Sequence, residues 1–525
     1  MLNMQRLSHI LVALSLAALS GVASSKTLQY ASAFDPQSMD PHALALQYHT
    51  RVILQIYEGL VDRDQQFKLE PSLALSWTAI DATTWRFKLR PGVKFHDGSA
   101  FTADDAVFSI TRALDKTSQR AAQLRGVLGA RKVDAFTIDV SLGSPDAVLP
   151  EKLWLVAMMS KSWSEQHKVQ KPQDYNANQE TYAVRHANGT GPFVLKAYES
   201  DVRTVLQANP NWWGRATHTG NVDEAVYNVI QNDGSRLAAL ASGQMDILVD
   251  PPYQDVGRLR QNKQFVVTET VDMGTQYLAF DQARVQLNGS DIKGRNPFKD
   301  LRVRRAIVQA IDMDLIVKKV LRGQAVATGA HVSQLVDGAL PELEARLPYD
   351  PAAARALLKE AGYPEGFKVP LECVNVAWRS AVCQAISAML DKVGIKAQFN
   401  NFPSATFFPK LTQASSSFVE FGWTPTPDAW STLNALVRSH DGANGGAFNA
   451  GRYSNPKLDS MIDAIRIEPD LPKRRQLVGL ALTVMHEDLP LLPLYRRKLA
   501  WIMKPSVHAV MWPNDVVALR WVRLD

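Results

Sequence analysis

The sequence predicts an α/β protein of more than one domain. Capped helices alternate with short strand-like runs over long distances, the pattern of strands and helices packed in layers. The chain has 525 residues, too many for one hydrophobic core, so two or three domains are expected. Its composition, 46% hydrophobic and 21% charged, is that of an ordinary globular protein. The net charge of +6 is small for this length, and the basic residues are scattered instead of striped, so no nucleic-acid partner is implied.

The elements follow in chain order. Arg6 supplies the positive charge of a short opening segment, 10–19 is apolar but short for a bilayer span, and Gly21, Val22 and Ala23 are small. Together they predict a cleavable signal peptide over 1–23, with a soluble, periplasmic mature chain starting near Ser24. No cysteine follows the apolar stretch, so lipid anchoring is not expected. Trp85, Phe87 and Leu89 alternate as a strand, Arg90-Pro91-Gly92 turns, Val93 and Phe95 form a second short strand, and His96-Asp97-Gly98 turns again. Thr102 then caps a helix with Asp104 and Asp105 in its first turn, where carboxylates oppose the helix dipole.

Strands are expected at 264–271 and 277–280. Asp300 caps a helix carrying Leu301, Val303, Ala306, Ile307, Ala310 and Ile311, and Asp312 caps its successor, which stops at Gly323. Asp350 with Pro351 opens a helix closed by Gly362. A strand at 369–374 leads to a helix at 381–393, and further strands lie at 395–399 and 417–421. Asn455 and Pro456 start a helix whose Leu458, Met461, Ile462 and Ile465 make one apolar stripe. The two cysteines, Cys373 and Cys383, have two readings: separate buried thiols in a reducing compartment, or a disulfide bracing a loop in an oxidising one. Their spacing fits neither a CxxC motif nor a zinc site, and His96 and His486 lack companions at metal-ligand spacing. No HExxH, GxSxG or Walker A pattern is present. No catalytic residue, metal or cofactor is therefore expected.

Six segments carry a resemblance. They are SAFDPQSMDPH (32–42), LEPSLALSW (69–77), WRFKLRPGVKFHDGSAFTADDAVFSITR (85–112), NGTGPFVLKAY (188–198), NPFKDLRVRRAIVQAIDMDLIVKKVLRGQA (296–325) and YDPAAARALLKEAGYPEGF (349–367). Together and in this order the chain resembles, from about 28 to 501, the family 5 solute-binding proteins of ABC importers, the dipeptide- and oligopeptide-binding group. The resemblance implies a type II periplasmic-binding-protein fold. Lobe I would comprise 24–65, 187–280 and 493–525, with an inserted subdomain at 66–186, and lobe II would span 281–492. The crossing segments would be 274–281 and 489–496, with the ligand in the cleft between the lobes. It implies a monomer that captures a peptide or peptide-like solute by hinge closure and delivers it to inner-membrane permease subunits with their ATPase. A sensor or chaperone on the same fold, or import of an opine, an oligosaccharide or a metal complex, is the alternative.

Ligands of open α/β sheets bind beyond the carboxyl ends of strands. This directs attention to Ser32, Phe34 and Asp35, to Thr190 and Gly191, and to the loop 421–430 with Gly422, Trp423, Thr424 and Asp428. In peptide-binding relatives the last loop pairs with an extended ligand, and an aspartate in it holds the ligand ammonium. Here that aspartate's place falls at Pro425-Thr426. Asp428 reads either as a helix cap or as the ammonium partner. Arg379 reads as a fork for a ligand carboxylate or as a surface arginine. Trp423 covers the ligand or packs in the lobe, and Tyr495 faces the cleft or the core.

Overall fold

The computed structural model describes residues 25–525 apart from 176, 178, 427 and 441–444. The expected signal peptide lies outside the described residues. Two large sheets share one long strand. The first contains Thr27–Ser32, Phe193–Glu199, Arg203–Ala208, Glu224–Val229, Ile247–Val249 and Val266–Val271. The second contains Thr275–Phe280, Ala325–Ala327, Phe367–Val374, Ile395–Phe402 and Phe418–Trp423. The strand Leu491–Met503 belongs to both. Its first part pairs with Thr275–Phe280 through Gln276 opposite Tyr495, and its last part pairs with Val266–Val271 from Lys498 to Met503. The chain thus crosses between the lobes at 272–275 and again at 497–498, where the pairing of Arg497 with Ala325 gives way to that of Lys498 with Val271. The strand Thr275–Phe280 is hydrogen-bonded wholly within the second sheet, so pairing changes lobe at its start.

A third, antiparallel sheet of four strands joins Ala74–Asp81, Thr84–Leu89, Thr137–Leu142 and Val127–Asp134. The helix Ala103–Ala113 packs on it, and Asp105 accepts from the Thr102 backbone N–H at 2.9 Å, the reach-back half of a capping box. The caps read from the sequence form for simple reasons. Asp300, Asp312, Asp350 and Asn455 each accept from a backbone N–H of the turn they precede, satisfying donors that have no partner inside the helix. Gly362 ends the helix Pro351–Glu360 at φ +85°, a conformation that a Cβ opposes.

Each layer has its own core. Val303, Ala306, Ile307 and Ala310 turn one helix face onto the second sheet, and Tyr30, Tyr227 and Trp501 fill the first lobe. Each large side chain so buried contributes about 1.5–3 kcal/mol. Between these layers Phe67, Trp154 and Trp512 pack edge to face, with centroids 5.3–6.1 Å apart. The Cys373 and Cys383 sulfurs are bonded, linking the strand Phe367–Val374 to the helix Ala377–Asp391.

Candidate ligand-binding site

A cavity of about 460 Å³ opens where every part of the fold meets, within the size range of small-molecule sites. The first turn of the helix Gln47–Ile56 supplies Gln47 and Thr50, the short helix Gln119–Ala122 supplies Arg120, and Glu151, Lys152 and Trp154 come from beside the inserted sheet. Asp272, Met273 and Arg497 come from the two crossing segments, and Leu499 from the strand just beyond the second. Thr424, Pro425 and Thr426 come from the loop after Phe418–Trp423. A solute here would touch both lobes and both connections at once. A second space of about 900 Å³ adjoins it, sharing Phe67 and Glu151 and reaching Trp77, Asp428 and Arg474.

Of the residues singled out in the sequence, Thr424 lines the first cavity. Gly422, Arg379 and Tyr495 gather beside it on the second lobe. Arg379 donates to Gln276 Oε1 at 2.5 Å, lies 3.5 Å from Glu420 Oε2 and stacks on Trp378. A Cβ at Gly422 would collide with Arg379 Nη2 and Gln276 Oε1, so any larger residue there would push these two side-chain ends aside. Tyr495 is fully buried and its ring meets Trp378 edge to face. Burial and then the Glu420 charge push its hydroxyl well above the ordinary range, while Arg379 opposes them. Burial also raises the Glu420 carboxyl, against the pull of Arg379. Tyr495 Oη and Glu420 Oε1 have no hydrogen-bond partner among the described residues. Trp423 packs its ring on Phe448 at 5.1 Å, and its Nε1 has no partner among the described residues.

The remaining residues are committed elsewhere. Asp428 is buried, grips Arg474 with both carboxylate oxygens, and accepts from the Trp430 N–H at 2.9 Å. Burial raises its carboxyl and Arg474 opposes the rise. Its charge is answered inside the chain. Ser32 belongs to a buried network in which Arg51 forks onto Asp250 at 2.7 Å and also reaches Asp515. Asp35 accepts from Tyr198 Oη at 2.7 Å and from the Asp201 N–H at 2.9 Å. Phe34 is half exposed and stacks on Tyr48, next in sequence to Gln47 of the cavity. Thr190 donates to Glu58 at 2.7 Å, and Gly191 lies so close to the Ile56 carbonyl that a Cβ would not fit.

Sequence reasoning missed Gln47, Thr50, Arg120, Trp154, Asp272 and Arg497. Only the last two carried a signal, since they flank the expected crossing segments. Among the described residues no group of three metal-ligating side chains is assembled, and no helix is long and apolar enough to cross a membrane.

Comparison with known proteins gives a consistent setting. The family model described as bacterial extracellular solute-binding proteins, family 5 middle, matches residues 68–444. The dipeptide-binding protein of Escherichia coli (strain K12) is 27% identical over 529 residues, covering 94% of this chain and 93% of its own. Heme-binding protein A of Haemophilus influenzae is 26% identical over 502 residues, covering 90% and 87%. The solved structure of HbpA2 from Haemophilus parasuis superposes with a TM-score of 0.81 at 23% identity, covering 95% of this chain and all of that one.

Proposed function

The chain belongs to the bacterial extracellular solute-binding proteins of family 5, and from that premise we propose that it captures a peptide-like solute in the 460 Å³ cavity for an ABC importer. The observation that carries this reading is the composition of that cavity. Its walls come from both lobes, the inserted region and both crossing segments, so occupancy is coupled to the angle between the lobes. The solute would lie against Thr424 and the backbone of the 423–426 loop, with the Arg379, Gly422 and Tyr495 face beside it. The family is one of binding proteins, and the chemistry of this site is recognition without turnover.

The remaining parts of the reading follow the family's way of working. Lobe I takes 24–65, 187–271 and 498–525, the inserted subdomain 66–186, and lobe II 275–497, the expected boundaries at 280 and 493 moving because Thr275–Phe280 and the first part of Leu491–Met503 pair within the second sheet. The signal peptide 1–23 directs export and is cleaved, leaving a periplasmic monomer whose closed form is recognised by inner-membrane permease subunits with their ATPase. The relatives' names differ in ligand, one a dipeptide and one heme, so the solute is chosen by residues of this chain's own cavity.

Calorimetric titration with di- and tripeptides tests the reading. Binding at micromolar affinity or better, roughly −8 kcal/mol, is expected, with a rise in melting temperature through linkage. A sugar or a metal complex that binds where no peptide does would overturn it.

A further inference from the structure

We infer that Arg120 holds a carboxylate of the bound solute, so that the cavity selects for an acidic end. This rests on the peptide-like reading above and names the end of the peptide that the first lobe takes. The other charged residues lining the cavity already have opposite charges beside them. Glu151 pairs with Arg63, Lys152 with Asp146, and Asp272 with Arg497. Among the described residues no carboxylate forms an ion pair with Arg120, although its exposure is only 2%. The buried carboxylate of Asp40 is taken by both guanidinium nitrogens of Arg112, at 2.8 and 2.7 Å.

The rest of the environment fits a ligand acid. Arg120 Nη2 donates to Thr50 Oγ1 at 3.0 Å, which anchors one side of the guanidinium, while Nε has no partner among the described residues. Burial alone pushes the guanidinium down to about 10, the response of a cation that has lost water and gained no anion. An uncompensated buried charge is costly, and a solute carboxylate removes the cost while gaining a planar two-pronged fit. Gln123 Oε1 and Asn514 Oδ1, from two other lining residues, are also buried without donors among the described residues. A carboxylate followed by a peptide N–H presents an acceptor and then a donor, which matches this pairing of guanidinium and amide oxygens. Phe67, Trp154, Leu155, Met273 and Leu499 offer apolar surface to the remainder. Arg379 is not in this position, because Glu420 and Gln276 already answer it.

The test compares Ala-Phe with its C-terminal amide on the wild type and on Arg120→Gln, by calorimetry and melting. The wild type is expected to prefer the free acid by about a hundredfold. Arg120→Gln should bind acid and amide alike, and without ligand it should melt no lower than the wild type, since a buried charge has been removed. An unchanged acid preference in the variant overturns the inference. So does a ligand-free melting point lower by about 5 °C or more, which would make Arg120 part of the scaffold. Should Arg120→Gln fail to fold, the acid-against-amide ratio on the wild type decides, a ratio near one overturning the subsite. If neither form of Ala-Phe binds the wild type, the peptide reading is what has failed. The subsite is then judged with 3-phenylpropionate against its amide. Acid-selective stabilisation lost in Arg120→Gln retains it, and equal behaviour of the two overturns it.

Discussion

Asp428 shows how a single residue changes meaning once its neighbours are known. A cap at this place would contribute about 1 kcal/mol, and Asp428 does accept from the Trp430 N–H. It also neutralises Arg474 in a pair that is nearly sealed from solvent on both sides. Asp428→Asn leaves that guanidinium buried and unpaired, and the expected loss is about 3–5 kcal/mol of stability in denaturant unfolding. Peptide affinity of the folded variant should change little. A hundredfold loss of affinity with unchanged stability would instead make Asp428 the ammonium site.

Glu58 is a second residue with a measurable signature. Burial raises its carboxyl to about 7, although Trp213, Thr190 and Trp212 all donate to it and favour the charged form. Its folded value thus exceeds its unfolded value of about 4.5, and the native state holds the proton more tightly. The stability this contributes is fully present below the unfolded value and is lost as pH rises to about 7. Relative to Glu58→Gln, the wild type should lose about 2–3 kcal/mol between pH 4.5 and 7.5. Unfolding midpoints of the two proteins at several pH values check this, and a constant difference across the range would contradict it.

At the scale of elements, the local chemistry of the chain was highly legible and its assembly was not. The expected strands at 264–271 and 395–399 are the observed Val266–Val271 and Ile395–Phe402. The helices opened by Asp300, Asp350 and Asn455 begin where their caps stand, because an N-cap is a contact between neighbours in sequence. The cavity was not legible, because Gln47, Arg120, Trp154 and Arg497 come from four distant segments and share no motif. The absence of a counterion at Arg120 is a tertiary property, and the Asp428–Arg474 pair joins residues 46 apart. The disulfide tests one element junction directly. Closing the short loop between Cys373 and Cys383 should contribute about 2–4 kcal/mol, so reduction of the purified protein is expected to lower its melting temperature. Two titratable thiols in native, non-reduced protein from a periplasmic extract would contradict the bond.

The whole molecule is organised around two crossings. Arg496 ties them together by donating to Thr275 Oγ1 at 3.1 Å, to Glu344 Oε1 at 2.7 Å and to the carbonyls of Ala330 and Val332. Arg497 pairs with Asp272 across the two segments at 2.6 Å. Asp272, Met273 and Arg497 of these segments line the cavity, so a solute that touches Thr424 and Thr50 together bears on the same strands that set the lobe angle. Native mass spectrometry of the protein, purified from the periplasm and offered a mixture of di- and tripeptides, tests whether this cavity takes a peptide-like solute. The protein is expected to carry one or more peptides from the mixture. A protein that leaves every peptide unbound, while holding a sugar or a metal complex, would contradict it.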